Sequence, residues 1–162
     1  MEGGEVEAGL KQLRDGLAKW RAAEAALLMP MHLVVLAEAC LRAGRANDAL
    51  AAVTEALAYV ERSEERVFDA QVHRCYGDVL LAQADRNAVE AEGSYRHALE
   101  IARGQNARLL ELRTASSLAR LWRDQGKRGK ARDLLAPVYG WFTEGFDTLD
   151  LKQAKALLDE LA

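Results

Sequence analysis

The sequence has very little proline, since only two occur in 162 residues. Alanine, leucine, glutamate and arginine, which are all good helix formers, are abundant instead. Because proline interrupts helices and β-branched residues favour strands, this composition predicts an all-helical protein. Runs of 18 or more uncharged apolar residues are also missing, so no membrane-spanning helix is predicted. No N-terminal stretch has the pattern of a cleaved signal peptide, and we therefore expect a cytoplasmic protein.

Cysteine is scarce as well, and its placement argues against a metal site. The two cysteines, Cys40 and Cys75, form no CxxC pair. Neither has a metal-ligand spacing to any of the three histidines, His32, His73 and His97. The sequence therefore predicts no bound metal, and both cysteines are expected to be small buried side chains on helices.

Residues arranged for catalysis are not found either. The glycine-rich stretch GKRGKA, beginning at Gly126, lacks the spacing of a phosphate-binding loop and follows a predicted helix rather than a strand. His73 and Cys75 are near neighbours on a predicted helix, where side chains at such a short spacing do not face each other. Because no convergent set of titratable residues appears, we expect a non-enzymatic protein that needs no cofactor.

The net charge of −3 conceals a basic segment. Between Arg103 and Arg132, nine basic residues face only two acidic ones, Glu111 and Asp124. A segment of this kind forms either a solvated face or a surface for an acidic partner.

The clearest pattern is a repeated pair of amphipathic helices. The stretch 112–139 reads as two such helices joined by a turn at Gly126, and similar stretches precede it. A small residue early in each second helix recurs at Gly9, Ala49, Ala91 and Ala131. A bulkier residue follows four positions later at Leu13, Val53, Tyr95 and Leu135. A smaller one comes three positions further on at Gly16, Ala56, Ala98 and Val138. The first helices carry matching pairs at Ala37 and Cys40, Gly77 and Leu80, and Ala119 and Trp122.

This alternation of small and large residues resembles the tetratricopeptide repeat (TPR) family, most clearly at Gly77, Ala91, Tyr95 and Ala98. The resemblance implies one domain over 1–162, a right-handed α-solenoid of antiparallel helix pairs with about three repeats. The repeat period in this sequence is about 41 residues, whereas the usual TPR period is 34. We attribute the additional residues to longer helices. The predicted parts are a leading helix (5–28), three repeats (30–62, 66–104 and 107–142) and a C-terminal capping helix (148–161).

Several local signals predict helix ends within this layout. Asn47 is expected to be an N-cap, and Asn87 with Glu90 resembles a capping box. Residues 84–85 are expected to form the turn within the second repeat. Pro137 is expected to kink its helix or loosen the last turn.

The last forty or so residues, beginning at SLARLW, are similar to the C-terminal repeat tails of large bacterial regulators. In those proteins such repeats follow a nucleotide-cyclase or regulatory ATPase domain. The similarity implies a signalling role for this chain. It carries over no cyclase or ATPase residues, because none is present.

The family resemblance also implies a binding groove, which in TPR proteins is lined by the first helix of each pair. The positions that map to it are Met31, Val34, Glu38, Arg42, Gln71, Arg74, Asp78, Arg113, Ser116, Arg120 and Arg123. The last four share one stripe of a helix. Because guanidinium groups suit carboxylates, we expect the stripe to bind an acidic peptide or helix of a protein partner. The alternative is a solvated face that is partly paired with Glu111 and Asp124.

Other functions are open at this stage. The leading helix has no partner helix before it, so it could dock on a second copy and form a homodimer. RNA binding by the repeats is a third alternative, although the negative net charge and the lack of stacking aromatics argue against nucleic acid. The asparagine of the family's carboxylate clamp is replaced at the matching positions by Val35, Cys75 and Ser117, which argues against that specific activity.

Overall fold

The computed structural model describes residues 2–22, 28–62, 66–83 and 87–162. These residues form eight α-helices and no strand, which confirms the all-helical prediction. The helices are α1 (Glu2–Ala22), α2 (Met29–Arg42), α3 (Ala46–Arg62), α4 (Asp69–Gln83), α5 (Ala88–Gly104), α6 (Arg108–Asp124), α7 (Arg128–Tyr139) and α8 (Leu149–Glu160). Among the described helices, none is both long enough and apolar enough to cross a membrane.

Each helix packs on the next one in the chain, and the even-numbered helices also contact one another. The closest pairs are α2 with α3, α4 with α5 and α6 with α7. In addition, α2 neighbours α4, α4 neighbours α6, and α6 neighbours α8. Within the described ranges, α3, α5 and α7 make no such contact with one another. The even-numbered helices therefore form a continuous layer, and the odd-numbered ones are spread along its other side.

The positions that recur in the sequence lie in the core. Ala49, Ala91 and Ala131 are fully buried, and so are the bulkier residues that follow them in the chain. Gly77 is packed so closely that a Cβ atom there would lie 2.5 Å from Cε1 of Tyr95. Two apolar clusters result, one built from α1 to α4 and the other from α4 to α8. The small residues thus allow helices to approach closely, and their larger neighbours fill the space around them.

The leading helix is where the predicted register was wrong. Gly9 is exposed, and a Cβ atom at Gly9 or Gly16 would meet nothing within 4 Å. The buried residues of α1 are instead Leu10 and Leu17, one position later in each case. These leucines hold α1 against the rest of the chain together with the predicted Leu13, which packs against the same cluster, and no close glycine contact is involved. The helix begins at Glu2, before the predicted residue 5, and 23–27 of the predicted span lie outside the described residues.

One predicted cap was also wrong, and another is right only in its position. Asn47 lies inside α3, which begins at Ala46. Asn87 occupies the N-cap position of α5, as predicted, but its side chain makes no cap hydrogen bond. Its Nδ2 donates instead to the Leu80 carbonyl oxygen at 3.1 Å. Pro137 lies within α7, which ends at Tyr139 rather than at the predicted residue 142. The turn expected at 84–85 falls outside the part of the chain that the structure describes.

Candidate partner-binding groove

The layer of even-numbered helices carries an open cavity of about 620 Å³, which we call the groove. Eight of the predicted partner-binding residues line it: Glu38, Arg42, Gln71, Arg74, Asp78, Arg113, Ser116 and Arg120. A second cavity of about 500 Å³ shares Asp78, Ser117 and Arg120 with it. The groove therefore crosses from α2 over α4 to α6. It is closed at its far end by α8, which contributes Leu149, Asp150 and Gln153.

Three of the predicted residues do not line the groove. Val34 is fully buried, because it packs within the apolar cluster of α1 to α4, so it exposes nothing to a ligand. Met31 is half-buried and lies away from the groove lining. Arg123 bonds to Asp124 and to Glu160 of α8. Helical spacing identified the side of α6 that carries the arginines, but it did not show how far along each helix the groove extends.

Arg74 lies at the centre of the groove and joins α2 to α4. Its side chain is only 11% exposed. One guanidinium nitrogen bonds to the Glu38 carboxylate, and Nη1 donates to Oδ2 of Asp78 at 2.5 Å. The other oxygen of Asp78 accepts a hydrogen bond of 2.6 Å from the Tyr95 hydroxyl on α5. The charged network therefore fixes three helices relative to one another at the base of the groove.

Burial dominates the electrostatics of this network. It raises the pKa of the Asp78 carboxyl, although Arg74 and the hydroxyls of Tyr95 and Ser117 act in the opposite direction. It also raises the pKa of the Tyr95 hydroxyl. Burial by itself would lower the pKa of Arg74, but the Asp78 and Glu38 carboxylates outweigh it and raise that pKa. Arg74 therefore stays charged, and its charge is already matched by two carboxylates.

The basic stripe of α6 is partly neutralised by α8. Arg113 donates two hydrogen bonds of 2.9 Å, one to each carboxylate oxygen of Asp150. The predicted neighbour Glu111 is buried and pairs instead with Arg103 and Arg108. Sequence reasoning missed Asp150 as a groove residue. No signal in the sequence could have revealed it, because the pairing of Arg113 with Asp150 depends on how α8 packs on α6.

Two groove arginines remain without a carboxylate partner among the described residues: Arg42 at the end of α2 and Arg120 on α6. Arg42 is exposed, and Arg120 is half-buried where the two cavities meet. Each guanidinium has a planar set of donors that can hold a carboxylate through two parallel hydrogen bonds. The groove can therefore accept two carboxylates without displacing any described contact.

The other residues that the sequence singled out are not part of the groove. Cys40 and Cys75 are free and buried, and burial raises the pKa of the Cys75 thiol to about 12. The rings of His73 and His97 meet edge to face, with centroids 4.5 Å apart. Within the described residues, no group of three or more histidine, cysteine or acidic side chains could hold a metal ion.

No known protein-family model matches this chain, and no curated protein is significantly similar to it. The similarity to TPR proteins therefore rests on the repeated small and bulky residues alone. The function proposed below is therefore based on the groove and on the charged side chains that line it.

Proposed function

We propose that the chain is a non-enzymatic scaffold, a TPR-like right-handed α-solenoid that binds an acidic segment of a protein partner in the groove. The observation that carries this proposal is the pair Arg42 and Arg120, two cations that face the groove without a carboxylate partner among the described residues. The two free, buried cysteines fit a cytoplasmic scaffold, because the cytoplasm keeps thiols reduced.

The packing of the helices supports the solenoid. The even-numbered helices contact one another in order, whereas the described parts of α3, α5 and α7 do not. An array whose helices lie closer together on one side curves toward that side. The groove therefore lies on the concave surface, where an extended partner segment can contact several helices at once.

The contact between α8 and α6 illustrates the proposed recognition. Asp150 presents its carboxylate to Arg113 in the bidentate geometry that arginine prefers. A partner carboxylate would meet Arg42 or Arg120 in the same way. Since hydrogen bonds to charged groups contribute about 1.5–3 kcal/mol each, two such contacts suit a weak and reversible interaction.

A peptide titration tests the proposal. The probe is a fluorescein-labelled 12-residue peptide of alternating serine and glutamate, which spans up to ~40 Å when extended. We expect it to bind, with an affinity that falls at high salt as the charges are screened. The double variant Arg42→Glu/Arg120→Glu should lose at least roughly tenfold in affinity, since each reversal replaces attraction by repulsion.

The matched control is Arg62→Glu/Arg132→Glu, which makes the same change in net charge at two exposed arginines outside the groove. Arg113 is left unchanged because it anchors Asp150 of α8. A loss of affinity that is equal in the two double variants would contradict the proposal. Equal binding of a peptide that carries glutamine in place of glutamate would do so too.

The alternatives have less support. Leu10 and Leu17 of α1 are buried within the chain, and Arg14 and Arg21 pair with acidic residues of α3. Val6 and Trp20 are the large apolar side chains exposed on the described part of α1, so this helix offers a second copy little apolar surface. The described lining of the groove holds no aromatic side chain for base stacking, which RNA binding would favour.

A further inference from the structure

Four exposed apolar side chains lie beside the α8 end of the groove, and we call them the apolar ledge. They are Leu109 (43% exposed), Trp141 (63%), Phe146 (47%) and Leu149 (70%). A single exposed apolar residue is ordinary on a protein surface, but a group of large ones is typical of an interaction site.

Two contacts place both ends of the segment 141–150 against the start of α6. The guanidinium of Arg108 lies 3.9 Å from the ring centroid of Trp141, and Arg113 bonds to Asp150. Residues 141–150 therefore run along the first turns of α6, on which Leu109 lies between the two arginines. Leu149 also lines the groove itself, so the ledge continues the groove surface.

The charges at the ledge differ from those deeper in the groove. Arg108 is already paired with Glu111 and stacks on Trp141, and Arg113 is paired with Asp150. The arginines that border the ledge are thus matched, whereas Arg42 and Arg120 are not matched by any described carboxylate. A ligand that covers both the groove and the ledge therefore needs carboxylates where it meets Arg42 and Arg120, and an apolar side chain where it meets the ledge.

We propose that the ledge binds an aromatic or leucine side chain of the same partner segment whose carboxylates bind Arg42 and Arg120. This inference rests on the proposed function and specifies the partner: an acidic segment with an apolar anchor at one end. The distance along α6 from Arg120 to Arg113 is about 10 Å. The axis of α8 lies about 8–10 Å to the side of the axis of α6. The anchor should then lie about four extended residues from the carboxylate at Arg120.

The test uses the serine–glutamate peptide and two derivatives of it. One derivative carries phenylalanine in place of the first residue, and the other carries it in place of the last, since the orientation of the segment is open. At least one derivative should bind about tenfold more tightly than the parent peptide, a gain that partial burial of an aromatic side chain supplies. Leu109→Ser and Trp141→Ser, made separately at two ledge residues that do not line the groove, should each remove most of that gain and leave the affinity for the parent peptide unchanged.

Both substitutions replace exposed side chains, so the fold should persist, and circular dichroism checks this for each variant. Val6→Ser is the matched control, because Val6 is an exposed apolar residue on α1, which neighbours none of α6, α7 and α8. It should leave the gain intact.

The outcomes separate this inference from the proposed function. If phenylalanine adds no affinity, or its gain survives in both ledge variants, the anchor site is overturned while acidic binding stands. If no peptide binds, both proposals fail. Self-association measured by sedimentation that weakens in the ledge variants, with no effect on peptide binding, would assign the ledge to a second copy of the chain and overturn the inference.

Discussion

Replacing Gly77 by alanine tests the core packing at its tightest point. A Cβ atom at Gly77 would lie 2.5 Å from Cε1, 2.8 Å from Cδ1 and 2.9 Å from Cζ of Tyr95. Carbon atoms in contact are usually separated by about 3.5–4.0 Å, so the ring would have to move by about 1 Å. Tyr95 cannot do so freely, because it is buried and its hydroxyl is bonded to Asp78.

The size of the effect follows from two opposing contributions. Adding a methylene-sized group to a well-packed core costs about 1–3 kcal/mol. Alanine is a better helix former than glycine by up to about 1 kcal/mol, which offsets part of this cost. We therefore expect Gly77→Ala to lower the free energy of unfolding by about 1–2 kcal/mol. For a chain of this size, the melting temperature should fall by about 2–8 °C.

Gly93 provides the matched control, because it lies within α5 and a Cβ atom there would meet nothing within 4 Å. Gly93→Ala should therefore raise the free energy of unfolding by about 0.5–1 kcal/mol. Urea unfolding followed by circular dichroism measures both variants. If both substitutions stabilised the protein equally, the close approach of α4 and α5 would be wrong.

Two further predictions concern charged and titratable groups. Arg74→Met removes the counter-charge of the partly buried Asp78 and should cost about 3–5 kcal/mol in urea unfolding; a loss below about 1 kcal/mol would mean that the network contributes little. Burial lowers the pKa of His73, and the nearby His97 lowers it further. Because the unfolded chain then binds more protons below about pH 6.5, the free energy of unfolding should fall as the pH drops through that range. His73→Gln should weaken this pH dependence, and an unchanged slope in that variant would contradict the assignment.

The sequence allowed the core of the paired helices to be predicted because close helix crossings require small residues at fixed positions. Ala49, Ala91 and Ala131 are such residues, and all are fully buried. The same reasoning failed in α1, where Gly9 has the right size and spacing but packs against nothing. A close helix crossing requires a small residue, but a small residue alone does not bring two helices together. The face of α1 that is buried depends on where the neighbouring helices lie.

The groove was predictable only in part. Helical periodicity placed Arg113 and Arg120 on one face, since neighbours on a helix follow from spacing alone. The pairing of Arg113 with Asp150 depends on how α8 folds back onto α6, a tertiary contact that local patterns do not contain. Val34 was misassigned for a similar reason, because the helices around α2 cover it.

The most direct test of the proposed groove is to map peptide binding by NMR. The amide signals of the ¹⁵N-labelled chain would be followed while the serine–glutamate peptide is added. We expect the largest shifts at groove positions on α2, α4 and α6, including Arg42, Gln71 and Arg120. Signals from exposed positions on α3, α5 and α7 should stay unchanged. Shifts confined to those outer helices, or spread evenly over the surface, would contradict the assignment of the groove as the binding site.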